Sequence, residues 1–112
     1  MANHPKYDLK KTKNGQYQFN LTASNGHVIL SSETYTSKSG ATNGIESVKK
    51  NSADEDRYEK KTAKNGEFYF NLIATNGQVI GSSEMYSSES GRDQGIGSVM
   101  VSGGVAEMED NT

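Results

Sequence analysis

The residues best suited to chemistry in this sequence form a short polar triplet that occurs twice. The two copies are Glu33, Tyr35 and Ser37, and Glu84, Tyr86 and Ser88. In an extended segment, alternate residues share a side, so each triplet would present a carboxylate, a phenol and a hydroxyl together. A carboxylate accepts hydrogen bonds, and a tyrosine offers both a ring and a hydroxyl. The triplets therefore predict a surface that binds a polar partner.

A structural role explains the same triplets. Ser37 stands just before a segment with helical periodicity, and serine is a preferred residue at the N-cap of a helix. Tyr35 would then cover the start of that helix as a half-buried side chain. Capping serines and half-buried tyrosines are common in proteins, so base rates favour the structural role over the binding role.

Support for catalysis is weaker. The two histidines, His4 and His27, have no histidine counterpart in the repeat, and the chain has no cysteine for a zinc or iron site. Glu33 and Glu84 could act as an acid–base pair, but solvated glutamates are far more common. The serines lack a Gly-x-Ser-x-Gly turn, and no Walker loop is present. We therefore predict a protein that is not an enzyme, with no catalytic residue, no cofactor and no metal.

Basic and aromatic residues on the predicted strands leave nucleic-acid binding open as an alternative. They are Lys10, Lys11, Lys13 and Tyr17 in the first copy, and Lys60, Lys61, Lys64, Phe68 and Tyr69 in the second. A net charge of −2 and an isoelectric point near 5.6 argue against a polyanionic partner. The leading hypothesis is a non-catalytic module that binds a protein or peptide. Nucleic-acid binding is the second hypothesis, and a small enzyme is the third.

Composition also bears on location. No apolar run approaches the roughly 18 residues expected of a membrane span, and the first residues carry no signal-like apolar stretch. The absence of cysteine fits a reducing compartment. These features predict a cytoplasmic protein without membrane attachment.

The chain repeats itself without gaps. Residues 7–52 match residues 58–103 at an offset of 51 (58 − 7), and about half of the aligned positions are identical. One copy alone would bury little apolar surface, and two copies are too few for a solenoid. We therefore predict one compact domain over residues 1–112, in which the two copies pack about a pseudo-twofold axis as an internal dimer within a monomer. Residues 53–57 form an acidic connector, and residues 109–112 a loose tail.

Each copy is predicted to contain three strands and then a helix, which places the protein in the α+β class with an antiparallel sheet. A three-residue loop with a left-handed Gly15 would put Leu9 opposite Phe19 and bury apolar side chains, whereas a two-residue loop would bury charges. The same register puts Lys60 opposite Phe70.

Two further features of each copy follow from its periodicity. Ile29 and its counterpart Ile80 are predicted to point inward. A helix is expected near residues 38–50 with Ser37 as its N-cap, and Gly44 lies inside it. The dipeptide Asn43-Gly44 becomes Gln94-Gly95 in the second copy, so only its glycine is kept, and we predict close packing of the helix at this position.

The order of short motifs in each copy resembles that of the YegP-like family. The motifs are Lys13-Asn14-Gly15, Asn25-Gly26, Val28-Ile29, Ser31-Ser32-Glu33 and Gly44-Ile45. Members of that family are uncharacterised bacterial proteins that carry a small domain of unknown function, singly or in tandem. The resemblance covers roughly residues 7–103. It implies an α+β fold in which two three-stranded units and their helices assemble as a dimer or pseudo-dimer. It implies no particular activity, cofactor or catalytic residue.

Overall fold

A computed structural model describes residues 4–112, so the first three residues of the predicted domain lie outside the described part. Residues 4–112 form seven strands, two α-helices and one 3-10 helix. In chain order they are β1 (Lys6–Lys11), β2 (Tyr17–Thr22), β3 (Val28–Ser32), α1 (Lys38–Asn51), the 3-10 helix (Glu55–Arg57), β4 (Tyr58–Thr62), β5 (Phe68–Ile73), β6 (Val79–Ser82), α2 (Glu89–Ser102) and β7 (Glu107–Asp110).

All seven strands belong to one sheet, in the order β4-β5-β6-β3-β2-β1-β7. Each copy forms an antiparallel meander, and the two meanders join at the centre, where β3 pairs antiparallel with β6. The predicted α+β fold with two β-β-β-α repeats is confirmed. One detail needs correction, because β7 pairs parallel with β1 and makes the sheet mixed rather than purely antiparallel.

The predicted hairpin register is confirmed. Leu9 lies opposite Phe19, and Lys60 lies opposite Phe70. Gly15 has a φ of 84°, the left-handed conformation that the three-residue loop requires. The register is set by burial, since Leu9 and Phe19 are both fully buried.

Both helices contact strands of both copies. α1 lies against β2 of its own copy and against β5 and β6 of the other, while α2 lies against β5 and β3. Ile29 and Ile80 are buried, as predicted. The radius of gyration of 13.3 Å is that of one compact domain of about 100 residues. The two copies therefore share one core.

Two tyrosines tie the ends of the helices to the sheet. The Tyr7 hydroxyl donates a buried hydrogen bond of 2.5 Å to the carbonyl of Gly103, at the end of α2. The Tyr58 hydroxyl donates the equivalent bond of 2.6 Å to the carbonyl of Ser52, at the end of α1. In each pair the tyrosine and the acceptor come from different copies, so both bonds hold the copies together.

The C-terminal residues differ from the prediction. The sequence analysis assigned residues 109–112 to a loose tail, but Glu109 and Asp110 complete β7. The backbone N–H of Asn111 donates to the carbonyl of Leu9 with a length of 2.8 Å. Ion pairs reinforce this docking, from Lys6 to Glu109 and from Lys38 to Asp110. The acidic tail is ordered because it lies beside the lysines of the first copy.

The membrane prediction can be compared with the helices. Neither helix in residues 4–112 combines the length and the apolar character that crossing a bilayer requires.

Candidate functional site

The segment between each third strand and the following helix is held by a serine inserted into the sheet. The Oγ of Ser32 accepts a hydrogen bond from the backbone N–H of Phe19 and donates to the carbonyl of Glu33. Ser83 makes the same two bonds with Phe70 and Glu84. The backbone of the chain is therefore fixed at the glutamate, whose side chain points toward solvent.

The tyrosine of the triplet is fixed by its own backbone. Tyr35 exchanges hydrogen bonds of 2.8 and 2.7 Å with Tyr17, and Tyr86 does so with Phe68 at the same lengths. The Tyr35 ring also stacks on Phe19 with the ring centroids 6.3 Å apart. These contacts place the phenol against the adjacent helix.

Glycine in the helix makes room for that ring. A Cβ added to Gly44 would lie 2.8 Å from Cζ of Tyr35, and one added to Gly95 would lie 2.7 Å from Cζ of Tyr86. Real Cβ atoms essentially never approach that closely, so a side chain at either position would displace the ring. The predicted close packing at these glycines is confirmed, and the packing partner is the tyrosine of the triplet.

Two grooves of equal size open beside these tyrosines, each with a volume of about 330 Å³. The Glu33 groove is lined by Glu33, Tyr35, Gly44 and Ser47 of the first copy, together with Ala74, Asn76, Gln78, Val79 and Ile80 of the second copy. The Glu84 groove is lined by Glu84, Tyr86, Gly95 and Ser98 of the second copy, together with His27, Val28 and Ile29 of the first. Each groove is thus built across the boundary between the copies.

The tyrosine hydroxyls in the grooves differ from the buried ones that tie the fold. Tyr7 and Tyr58 donate to carbonyls, whereas within the described chain Tyr35 and Tyr86 find no protein acceptor. Burial raises the pKa of the Tyr35 hydroxyl, and the neighbouring Glu33 carboxylate raises it further. The pKa of Tyr86 is raised by burial and then by Glu84. Each groove therefore offers a neutral phenol that is free to bond with a ligand.

The serines of the triplets have a different role. Ser37 caps α1, since its Oγ accepts a hydrogen bond of 3.0 Å from the backbone N–H of Gly40. Ser88 caps α2 through Gly91 in the same way, at 3.1 Å. The structure thus brings the glutamate and tyrosine of each triplet into a groove and leaves the serine at the helix N-terminus, as the structural interpretation predicts.

Residues proposed for other chemistry do not converge. Glu33 and Glu84 line different grooves and form no carboxylate pair. Lys60 pairs with Asp93 at 3.4 Å, and Lys61 pairs with Glu59 at 3.5 Å. Among residues 4–112, no three histidine or acidic side chains gather in a way that could hold a metal ion.

Some groove residues were missed in the sequence analysis, because they come from the opposite copy or from the middle of a helix. They include Ser47, Ser98, Gln78 and His27. One signal could have found most of them. Every residue lining the Glu33 groove has an identical counterpart 51 positions away except Gln78, whose counterpart is His27. Identity between the copies is therefore higher in the groove than over the repeat as a whole.

Comparisons with known proteins agree with this architecture. The family described as "Domain of unknown function (DUF1508)" matches residues 12–59 and again residues 63–110. The UPF0339 protein YegP of Escherichia coli O6:H1 is 54% identical over 106 residues, covering 95% of this chain and 96% of the relative. A UPF0339 protein of Shewanella oneidensis is 57% identical over 106 residues, with the same coverage.

Solved structures of relatives have the same fold. The solution NMR structure of E. coli yegP, titled a protein of unknown function, superimposes with a TM-score of 0.92 at 52% identity. It covers 100% of this chain and 95% of its own. The solution NMR structure of the S. oneidensis UPF0339 protein gives a TM-score of 0.89 at 56% identity, covering 95% and 90%.

The matched family segments begin and end at different points from the repeat seen in the sequence. Residues 12–59 end inside β4, and residues 63–110 end with β7. In the family unit, β7 is therefore the equivalent of the strand that follows the first helix.

Proposed function

This chain belongs to the DUF1508 family, and on that premise we propose that it is a non-catalytic binding module whose Glu33 and Glu84 grooves hold a protein or peptide partner. The single observation that carries the proposal is the doubling of the groove. Two cavities of about 330 Å³ present the same glutamate, tyrosine, glycine and serine. A volume of this size is at the lower end for ligand sites and fits one or two side chains.

The groups in the grooves favour binding over chemistry. The titratable side chains common to both grooves are one glutamate and one tyrosine. Burial raises the pKa of that tyrosine, so it remains protonated near neutral pH and is a poor base. A histidine lines the Glu84 groove, but a glutamine holds the equivalent place in the Glu33 groove. Catalysis would need a base that both sites share, whereas binding needs only their common hydrogen-bonding groups.

A protein partner suits these grooves better than a nucleic acid. The charged group that the two grooves share is a carboxylate, which repels phosphate. The lysines of β4 are neutralised by Asp93 and Glu59. We include a cytoplasmic location in the proposal, since a chain without cysteine suits a reducing compartment.

Affinity capture from a bacterial extract tests the proposal. The wild-type chain is compared with two double variants, Tyr35→Phe with Tyr86→Phe, and Glu33→Gln with Glu84→Gln. We expect both double variants to lose the partner while the melting temperature hardly changes. The hydroxyls have no acceptor among residues 4–112, and the glutamate side chains are exposed, so folding does not depend on these groups.

A matched control distinguishes the loss of a groove glutamate from a general loss of negative surface charge. Glu46→Gln with Glu89→Gln removes two exposed glutamates that line neither groove, and this variant should keep the partner. If capture by both groove variants equals that of wild type, the grooves are scaffold and the proposal fails.

A further inference from the structure

The two grooves are acidic and contain no counter-charge. The charged side chain lining the Glu33 groove is Glu33 itself, and none of the lysines and arginines in the described part of the chain lines either groove. Within residues 4–112, neither Glu33 nor Glu84 forms an ion pair. Six other carboxylates do: Glu46, Asp54, Glu59, Asp93, Glu109 and Asp110. Four glutamates outside the grooves, Glu55, Glu67, Glu89 and Glu107, are also without an ion pair in this part of the chain, so what distinguishes Glu33 and Glu84 is their place beside a phenol in a groove.

The phenol beside each carboxylate adds a second element of recognition. The Tyr35 hydroxyl lies in the groove with its lone pairs unused by the protein, and its ring carries the negative π-face that attracts cations. Tyr86 offers the same groups in the Glu84 groove. A carboxylate, a phenol oxygen and a serine oxygen together supply acceptors for a group that is rich in hydrogen-bond donors.

We propose that each groove binds the cationic end of a side chain, a lysine ammonium or an arginine guanidinium, from a basic segment of the partner protein. This inference rests on the proposed function and names the chemistry of the ligand. Because the two grooves are equivalent, one partner with two basic side chains can occupy both. A donor-rich cation satisfies the free carboxylate and the hydroxyl oxygens together, whereas an anion or an apolar group would leave the carboxylate desolvated and unpaired.

The grooves differ at one position that sets their relative affinity. Gln78 lines the Glu33 groove, and His27 takes its place in the Glu84 groove. An amide always offers an oxygen that accepts a hydrogen bond from a cation, while an imidazole offers at most one ring nitrogen as an acceptor. We expect the Glu33 groove to bind the cation more tightly, and His27→Gln to reduce the difference.

The test is an NMR titration of the full chain with three blocked pentapeptides that differ in the central residue: lysine, arginine or glutamine in an alanine background. The backbone amides of Gly44 and Gly95 report on the two grooves separately. We expect saturable shifts of both amides with the lysine and arginine peptides and none with the glutamine peptide. Tighter binding of the arginine peptide would assign the site to bidentate guanidinium recognition, and tighter binding of the lysine peptide to a point charge.

Each groove serves as the control for the other. Glu33→Gln should weaken the binding reported by Gly44 at least about tenfold and leave the curve of Gly95 unchanged, since it removes a charge-assisted hydrogen bond. Glu84→Gln should do the converse. Tyr35→Phe provides a second variant with an unaltered charge, and it should weaken the Gly44 site alone. The exposed Glu46→Gln should change neither curve.

Two outcomes overturn the inference, and they are distinct from failure of the proposed function. If the cationic peptides shift neither glycine, or if Glu46→Gln weakens binding as much as Glu33→Gln does, the cation proposal is wrong. In either case, partner capture that still depends on the groove tyrosines would leave the binding function in place with a different ligand chemistry. Loss of that dependence as well would remove both.

Discussion

The two outer edges of the sheet begin from equivalent strands and are completed in different ways. At one edge, β1 is covered by β7 in parallel, and Leu9 of β1 is fully buried. At the other edge, residues 4–112 place no strand outside β4, and Lys60, at the position of Leu9, is exposed and paired with Asp93. Edge strands with charged side chains resist pairing with other chains. The same repeat has thus produced one first strand that is covered by the acidic strand β7 and one that stays at the edge with charged side chains.

The path of the chain after each helix explains this difference. The end of α1 lies beside Tyr58, and the end of α2 lies beside Tyr7. After α1, the chain enters the sheet there as β4. After α2, the equivalent place is already filled by β1, so the chain runs alongside as β7. The parallel direction of β7 therefore follows from the duplication.

The helix above each edge changes together with the strand. Ala41 in α1 is fully buried, and Arg92 takes its place in α2. The Arg92 guanidinium lies 5.6 Å from the ring of Phe68, where it makes a cation–π contact, and its Nε lies 3.3 Å from Asp93. A buried Leu9 thus accompanies a small helical residue, while an exposed Lys60 accompanies a long one.

The largest effect is expected when the first copy is expressed without the second. We expect residues 1–53 expressed alone to unfold or to self-associate, because α1 loses its contacts with β5 and β6, and Tyr7 loses the carbonyl of Gly103. Sedimentation and amide exchange measure this. A folded, stable monomer of the fragment would mean that the two copies do not depend on a common core.

The next largest effect should come from replacing Leu9 by lysine, the residue that stands at the equivalent position of the second copy as Lys60. Leu9→Lys buries a charge at a fully buried position and should lower the free energy of unfolding by at least about 3 kcal/mol in chemical denaturation. The control is Lys10→Leu, on the half-exposed side of the same strand. A small effect of Leu9→Lys would show that β1 tolerates a lysine at this position as β4 does at Lys60.

The centre of the sheet offers a third test, because Leu30 is buried and its counterpart is Gly81. A Cβ on Gly81 would lie 2.7 Å from the backbone oxygen of Ser31 and 3.1 Å from Cγ of Leu30. We expect Gly81→Ala to destabilise by about 2 kcal/mol in chemical denaturation. Gly97→Ala, which meets no atom within 4 Å, should stabilise by about 0.5 to 1 kcal/mol. Equal changes in the free energy of unfolding at the two glycines would contradict the close contact of Gly81 with Leu30 and Ser31.

The reverse exchange at the open edge should have a smaller effect of opposite sign. Lys60→Leu adds apolar contact with Phe70 directly opposite and should be neutral or stabilise by up to about 1 kcal/mol. Lys61→Leu points to the other face and should gain nothing comparable. If chemical denaturation shows that Lys60→Leu destabilises while Lys61→Leu stabilises, the register of β4 against β5 must be shifted by one residue.

Acid should weaken the docking of β7 and cause the smallest change. The hydrogen bond from Lys38, with help from Thr112, lowers the pKa of the Asp110 carboxyl to about 2 from its ordinary 3.8. A lowered pKa means that the charged form favours docking of β7, so this contribution is complete above about pH 4 and is lost as the pH falls from there toward 2.

NMR titration of the Asp110 carboxyl and of the Asn111 amide measures this loss. Lys38→Met should move the pKa of Asp110 back toward its ordinary value and reduce the acid response of the Asn111 amide. An ordinary pKa of Asp110 in the wild-type chain would contradict the ion pair.

Much of the fold could be predicted from the sequence because it depends on local patterns. Alternating apolar residues and a glycine turn set the register of Leu9 against Phe19, and a serine before an apolar helical stripe marked the cap at Ser37. The ungapped repeat implied the pseudo-twofold arrangement. The candidate site was half predictable, since the spacing of Glu33 and Tyr35 indicated a common side.

The missing half of the site is non-local. Periodicity shows which face of a strand or helix is buried, but it does not show what lies across from that face. Gln78 and His27 reach the grooves of the opposite copy only because β3 pairs with β6. The tail was predicted to be loose because its run of acidic residues has no apolar pattern, and its order depends on lysines about 70 to 100 positions earlier in the chain.

The sequence by itself determined the two meanders, their turns, the helix caps and the kinship of the two copies, because these depend on neighbouring residues and on identity at a constant offset. Only the tertiary structure decided which copy completes each groove, where the chain goes after the second helix, and why a leucine on one side of the axis faces a glycine on the other. These features depend on how the two copies pack against each other, because β1 already fills the position beside α2 that β4 fills beside α1.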